Sequence, residues 1–309
     1  MKQHEGCGRG VQVFETWSDT SAVRCRQYAY DLSAEDFMLT DPSLWFPTGL
    51  IPLMGCSEVR GMPVDDVRKI YAGHLLYFLD YTAELELALV NKAVFCMVYG
   101  PLSKYFSVSE CSAALKLYAD EGYHALFSKV MAEQVAGYFQ LDRHRSVRFK
   151  YFDRVCARDF NSCEGLALFV MAFISETIIT RELSLLARDD LLSPIFHMFQ
   201  DHLHDEAKHS VFFSDCFVTL WGKISGAQRD VVVDMLVIGF RIFCRSDIAF
   251  VRSQLVGRDV CITNVVNHLR QGWSKRASSL LSLTMKAIHR TDLLDNKSYV
   301  RQFEIEGLI

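Results

Sequence analysis

From Pro63 onward, apolar residues recur at spacings of three and four. Leu75, Leu79, Ala83, Val90, Ala93 and Met97 form one such stripe, and Glu86 falls within it. The spacing predicts a helix from Pro63 to the Gly100-Pro101 break, with Pro63 in the first turn and Asp65 and Asp66 at the positive end of its dipole. A second helix is predicted from about Ser107 to Phe139. A third starts near Asn161 or Ser162, runs through the unbroken apolar segment Leu166 to Ile174 and meets Glu176, after which Asp189, Asp190 and Pro194 mark its end and the next start. A fourth runs from Pro194 to about Trp221, and two more are predicted over Ala227 to Gln254 and Thr263 to His289. No alternation of strand period competes with these.

The remaining stretches read differently. Residues 1 to 15 are expected to be a loose leader, followed by a short helix over Thr16 to Tyr28 capped by Ser18 or Asp19. Asp41 to Gly61 carries prolines and glycines around Trp45 and Phe46, so it predicts an ordered, aromatic-rich connection and not a flexible linker. The passage from Asp142 to Arg158 reads as basic and polar. The expectation is an all-α chain with one domain over residues 16 to 309.

Composition narrows the possibilities. In 309 residues, half are hydrophobic and 12% aromatic, enough for a sizeable core. The net charge of -4 offers no basic surface for nucleic acid. Ten cysteines stand singly with no CxxC, and no cleavable signal precedes them, so reduced thiols in the cytoplasm are expected. The greasiest stretches are too short or too broken by charge to span a bilayer.

Two DExxH motifs carry the chemistry: Asp120-Glu121-Gly122-Tyr123-His124 and Asp205-Glu206-Ala207-Lys208-His209. They contain the only two ExxH pairs in the chain. On a helix, residues i and i+3 share a face, so each motif aims a carboxylate and an imidazole at one point. An isolated ExxH is ordinarily a solvated pair. Here both lie in long helical segments, and each is preceded in the chain by a helix bearing an inward-looking Glu, the arrangement that builds a dimetal site in ferritin-like bundles. Glu176 closes an apolar stretch, where an unpartnered carboxylate would be costly. On the first helix the choice lies between Glu86, in the leucine stripe, and Glu84, which shares a face with Tyr77 and Tyr81. His202, four residues before Glu206, extends the second motif to HxxxExxH. Asp120 and Asp205 are natural acceptors for the outer N–H of a ligand His. His197 and His204 point off this face, and Tyr123 is expected to pack.

With these residues in place, the sequence resembles the p-aminobenzoate N-oxygenase family of diiron proteins. The resemblance covers residues 74 to 215 in its motifs, with weaker similarity back through Trp17 to Arg24 and the Trp45 to Gly55 connection. It implies seven ligands at Glu86, Glu121, His124, Glu176, His202, Glu206 and His209, the imidazole of His202 being the extra one. It further implies a seven-helix, ferritin-like bundle, often a homodimer, holding two irons. Dioxygen would give a peroxo-bridged diferric species, which would oxidise the nitrogen of a small, aromatic amine through hydroxylamine and nitroso stages towards nitro. Electrons would come from an external donor or reductase, since no flavin or nicotinamide fingerprint is present. Ligand type alone leaves manganese in place of one iron open. The same site could instead hydroxylate a C–H bond or cleave an amino-acid-like or carrier-tethered substrate. An iron-storage ferroxidase and a metal-free bundle are the remaining readings, and the second would leave four carboxylates converging unpaired. Arg241, Arg245 and Lys286 are candidates for binding a substrate carboxylate.

Overall fold

The computed structural model describes residues 8–26, 30–162, 165–258, 260–271 and 273–305. Among them there are helices and no strands. The first long helix, α1, comprises Val64–Leu85, a π-helical turn Glu86–Val90 and Asn91–Val98. Pro63 serves as its N-cap, one residue outside the helix. Then come α2 (Val108–Phe139), α3 (Arg148–Ser162), α4 (Leu166–Leu186), α5 (Ser193–Lys223), α6 (Gly226–Cys244), α7 (Ile248–Gln254), α8 (Ile262–Gln271), α9 (Trp273–Leu280), α10 (Ser282–Ile288) and α11 (Lys297–Ile305).

Local chemistry sets several of these boundaries. Ser107 and Glu110 form a reciprocal capping box at the start of α2, and Ser225 with Gln228 does the same for α6. Gly165 precedes α4 with φ 84°, a conformation that costs a glycine nothing. Asp247 ends the run predicted from Ala227 to Gln254: its carboxylate accepts the Phe250 N–H and caps α7, so α6 and α7 are separate. The stretch Thr263 to His289 is likewise three short helices.

Two expectations are corrected. The basic passage Asp142 to Arg158 is largely helix, because Phe149 and Phe152 bury one face of α3 while Lys150, Asp153 and Arg154 stay exposed. The N-terminal stretch is not loose from Gly8 on; residues 1–7 lie outside the described residues. Arg9–Gln12, Trp17–Thr20 and Ala22–Cys25 are short helices, the first laid against α5. Phe14 is buried, and Asp215 accepts the Gly10 N–H at 2.6 Å. Tyr28, the expected end of the first helix, is outside the described residues.

Helices α1, α2, α4 and α5 form the bundle, with α1 packed most extensively on α2 and α4 on α5. Helix α6 closes the other side of α4 at Gly239, where a Cβ would come within 2.4 Å of the Ile174 side chain. The buried apolar residues fall into two clusters. One holds the C-terminal half of α1, α2 up to Leu117, α4 up to Ile178 and α5 from Phe212. The other holds α1 up to Leu79, α2 from Phe127, α4 from Ile179 and α5 up to Phe199. Between them, every bundle helix carries buried polar residues.

Candidate metal centre

That polar belt contains all seven residues that the resemblance implies as ligands. Glu86 opens the π-helical turn of α1, Glu121 and His124 lie on α2, Glu176 on α4, and His202, Glu206 and His209 on α5. All seven are buried, none more than 4% exposed. A π-turn adds a residue to the helical repeat and turns a side chain that would otherwise drift off the seam. Thr180 on α4 donates its hydroxyl to the carbonyls of Glu176 (2.7 Å) and Glu206 (2.8 Å), fixing α4 against α5 at the level of the belt.

The side chains gather into two groups, each with ligand atoms within 4.8 Å of one another. Glu86, His124, His202 and Glu206 make one; Glu121, His124, Glu206 and His209 make the other. His202 Nε2 lies 3.0 Å from Glu86 Oε1 and 3.5 Å from Glu206 Oε1. His124 Nδ1 is 3.3 Å from Glu206, and His209 Nδ1 is 2.9 Å from Glu121 and 3.1 Å from Glu206. Glu176 stands beside the second group, its Oε2 3.6 Å from His209 Nδ1. Glu206 and His124 are common to both groups, so the two groups adjoin one another. Glu84 is elsewhere: half-buried, it accepts from Arg145 Nε at 2.7 Å, so Glu86 alone of the two faces the cluster.

The outer nitrogens of two histidines are held crosswise. Nε2 of His124 lies 3.3 Å from Asp205, and Nε2 of His209 lies 3.2 Å from Asp120, so each motif's Asp supports the other motif's His. With those nitrogens bound outward, Nδ1 of each ring points inward. The N-terminal stretch completes the arrangement. Trp17 Nε1 donates to both oxygens of Asp120 at 2.9 Å, and the Ser21 hydroxyl donates to the same carboxylate. Asp205 accepts from the Ala22 N–H at 3.0 Å and the Lys208 ammonium at 3.1 Å. The contact of Asp120 and Asp205 with imidazoles was legible in sequence; for Trp17, Ser21 and Ala22 the only signal was the weaker similarity over Trp17 to Arg24, since nothing in their spacing ties them to helices a hundred residues on.

The chemistry of the donors fits metal ions. Both oxygens of Glu86 and of Glu121, one each of Glu176 and Glu206, Nδ1 of His124 and Nε2 of His202 have no hydrogen-bond partner though all are buried. Leaving so many polar atoms unsatisfied is strongly unfavourable, and a cation at their meeting points removes the penalty. Burial, reinforced by Glu206 and Glu121, holds the Glu176 carboxyl well above its ordinary range, and burial pushes Glu86 up to about 7. For His124, burial acts downward, but Asp205, Glu121 and Glu206 outweigh it and raise the imidazole well above its usual value. For His209, burial again acts downward, and the carboxylates of Glu206 and Glu121 overcome it. The cluster thus calls for positive charge. Two dications against four carboxylates supply it and would displace these protons.

A cavity of about 490 Å³ lies farther along the bundle, lined by none of these seven residues. Phe46, Tyr77, Phe78, Tyr81 and Phe250 line it, together with the buried Arg148 of α3. The Arg148 guanidinium stacks over Tyr81 at 5.1 Å and donates to the Arg245 carbonyl at 2.7 Å, while its Nε has no partner. Arg245 and Lys286 are exposed, and Arg241 does not line the cavity. The sequence signal for Arg148 was the Phe149 and Phe152 spacing, which marks α3 as a packed helix. Tyr123 packs edge-on against Phe127, and His204 is exposed.

A four-helix core with a buried ring of carboxylates and imidazoles from all four helices defines a ferritin-like dimetal protein. The p-aminobenzoate N-oxygenase AurF family matches residues 12–292, nearly the whole chain, and the protein belongs to that family. No curated protein matches it. The family consists of dioxygen-dependent diiron N-oxygenases of arylamines, monooxygenases by class, and the buried His and Glu groups are compatible with its two irons. Among the described residues no helix is long and apolar enough to cross a membrane.

Proposed function

We propose that this chain N-oxygenates a small arylamine carrying an acidic group, at an iron pair held by Glu86, Glu121, His124, Glu176, His202, Glu206 and His209. The observation that carries this reading is the convergence of those seven buried side chains with their polar atoms facing one another. Glu86, His124, His202 and Glu206 would hold one iron, and Glu121, Glu176, Glu206 and His209 the other. The irons supply dioxygen activation and the oxidising equivalents. The protein's part is to orient and to exclude water. Asp120 and Asp205 keep His124 and His209 with Nδ1 inward, and Phe14 and Phe127 wall the imidazoles from solvent.

The cavity supports the substrate class. Its volume suits one aromatic ring with substituents, and Phe46, Tyr77, Phe78, Tyr81 and Phe250 supply aromatic walls, with Arg148, His74 and His268 as basic groups and Glu182 and Asp247 as acidic ones. Tyr81 on α1 lies five residues before Glu86 and Glu182 on α4 six after Glu176, so the cavity stands roughly 7–9 Å along the helices from the metal level. An amine directed at the belt would leave its far substituent near Arg148, where a carboxylate would meet the guanidinium. Electrons come from a separate donor, and the working unit is proposed to be a homodimer, a single domain per chain, located in the cytoplasm.

The test is iron content followed by turnover. Protein loaded anaerobically with ferrous iron is expected to hold two irons per chain and to convert an aminobenzoate in dioxygen with a reductant. Arg148→Met is expected to raise KM for the acidic arylamine roughly tenfold or more, the loss of one charged hydrogen bond, with less effect on an uncharged aniline. Failure to bind iron, or equal turnover of C–H substrates without nitrogen oxidation, would remove the reading.

A further inference from the structure

The two carboxylate–imidazole pairs that flank the metal centre are built alike but capped differently. Asp205 takes the Ala22 N–H and the Lys208 ammonium, neither of which exchanges electrons. Asp120 takes the Ser21 hydroxyl and, through both oxygens, the indole N–H of Trp17. From Asp120 the next hydrogen bond, 3.2 Å long, reaches Nε2 of His209, whose Nδ1 faces Glu121 and Glu206. The indole therefore sits two hydrogen bonds from an imidazole of the cluster. It is also half-buried, with the Arg24 guanidinium 5.9 Å over its face, so the residue that holds the cluster's support is itself partly open to solvent. Neither Trp45, buried in the far apolar cluster, nor Trp221, which donates to Asp292, has such a link.

Indole is among the most readily oxidised side chains, and its N–H becomes a strong acid once an electron is lost. A carboxylate already holding that N–H is a ready proton acceptor. A hydrogen-bond donor that only had to satisfy Asp120 could have been a backbone N–H or a lysine, as at Asp205.

We propose that Trp17 is a redox relay of the metal centre, and this rests on the iron-pair reading above. When dioxygen has oxidised the centre and no amine fills the cavity, one electron leaves the indole through Asp120 and His209 and reduces the centre by one unit. The indole N–H proton passes to Asp120, leaving a neutral indolyl radical at the surface. A one-electron donor from solution, such as a thiol, then returns the electron to the ring, and Asp120 returns the proton. Oxidising equivalents that would otherwise attack Phe14, Phe127 or their neighbours are drained outward.

The experiment uses the iron-loaded protein, mixed with dioxygen without amine and freeze-quenched for electron paramagnetic resonance. A free-radical signal is expected that narrows when the tryptophans carry ring deuterium. It is expected to be lost in both Trp17→Phe and Trp17→His, while both variants still bind two irons. Trp17→His keeps an N–H for Asp120, so a role limited to holding that carboxylate would leave the signal intact. A signal that persists in both variants, or its absence from the unaltered protein although the iron is oxidised, overturns the relay alone. Failure to take up iron strikes at the function itself and is read in the metal count.

Discussion

At the scale of single residues, the centre depends on groups that do not touch metal. Asp120 and Asp205 fix which nitrogen of His209 and His124 faces inward. Replacing either by Asn offers the wrong partner for one ring tautomer, and losses of this kind typically cost about 10–100-fold in metal affinity. Asp205→Asn is therefore expected to lose iron to a chelator about 10–100-fold more readily. Glu84→Gln, on the outer face with Arg145, should titrate like the unaltered protein. Asp247 serves the fold instead. Burial alone would raise its pKa, but the N–H groups of Phe250 and Val147 and the hydroxyls of Ser146 and Tyr77 lower it overall. A depressed carboxylate contributes stability in full above its unfolded pKa of about 4, and the contribution fades as pH falls below that. Asp247→Asn is expected to reduce stability at pH 7 by about 1.5–3 kcal/mol, the worth of hydrogen bonds to a charged group, and to narrow the gap to the parent in acid unfolding curves.

At the scale of elements, close packing limits what the bundle tolerates. At Gly239, α6 lies so near α4 that a Cβ would stand 2.4 Å from Ile174 and 3.2 Å from Met171 Sδ. Gly239→Ala is expected to cost about 1–3 kcal/mol through overpacking, despite the better helix propensity of Ala, and urea unfolding would show it. Much at this scale was legible in sequence. The stripe through Glu86, the run from about Ser107 to Phe139 and the apolar run before Glu176 gave the bundle helices within a few residues. The breaks within the late helices were missed because Asp247 caps α7 through backbone geometry that hydrophobic periodicity does not encode. Helix α3 was hidden because its basic residues outnumber the few aromatics that bury it. The seven residues of the belt were legible because helical spacing brings each motif to one face; the contacts of the N-terminal stretch were not, since its partners lie 99 to 183 positions away.

At the scale of the whole molecule, the belt divides the apolar interior in two, and the halves meet through carboxylates and imidazoles. Charged groups in that position are costly unless neutralised. Removal of iron is therefore expected to lower the melting temperature, and restoring ferrous iron at about 100 times its dissociation constant should return about 2.7 kcal/mol of stability, as a cooperative shift in calorimetry. A melting curve indifferent to iron would mean that the ions do not bind within the folded interior.

The crosswise support has one more consequence, for anyone who would build with this protein. Because the Asp of each motif serves the His of the other, neither DExxH helix is a self-contained cassette. A single motif grafted onto a foreign helix would arrive with its imidazole unsteadied and its aspartate idle. The smallest portable unit is α2 and α5 in their mutual register, together with the stretch from Trp17 to Ala22 that seals both aspartates, so exchange between scaffolds must move three separated segments of chain at once.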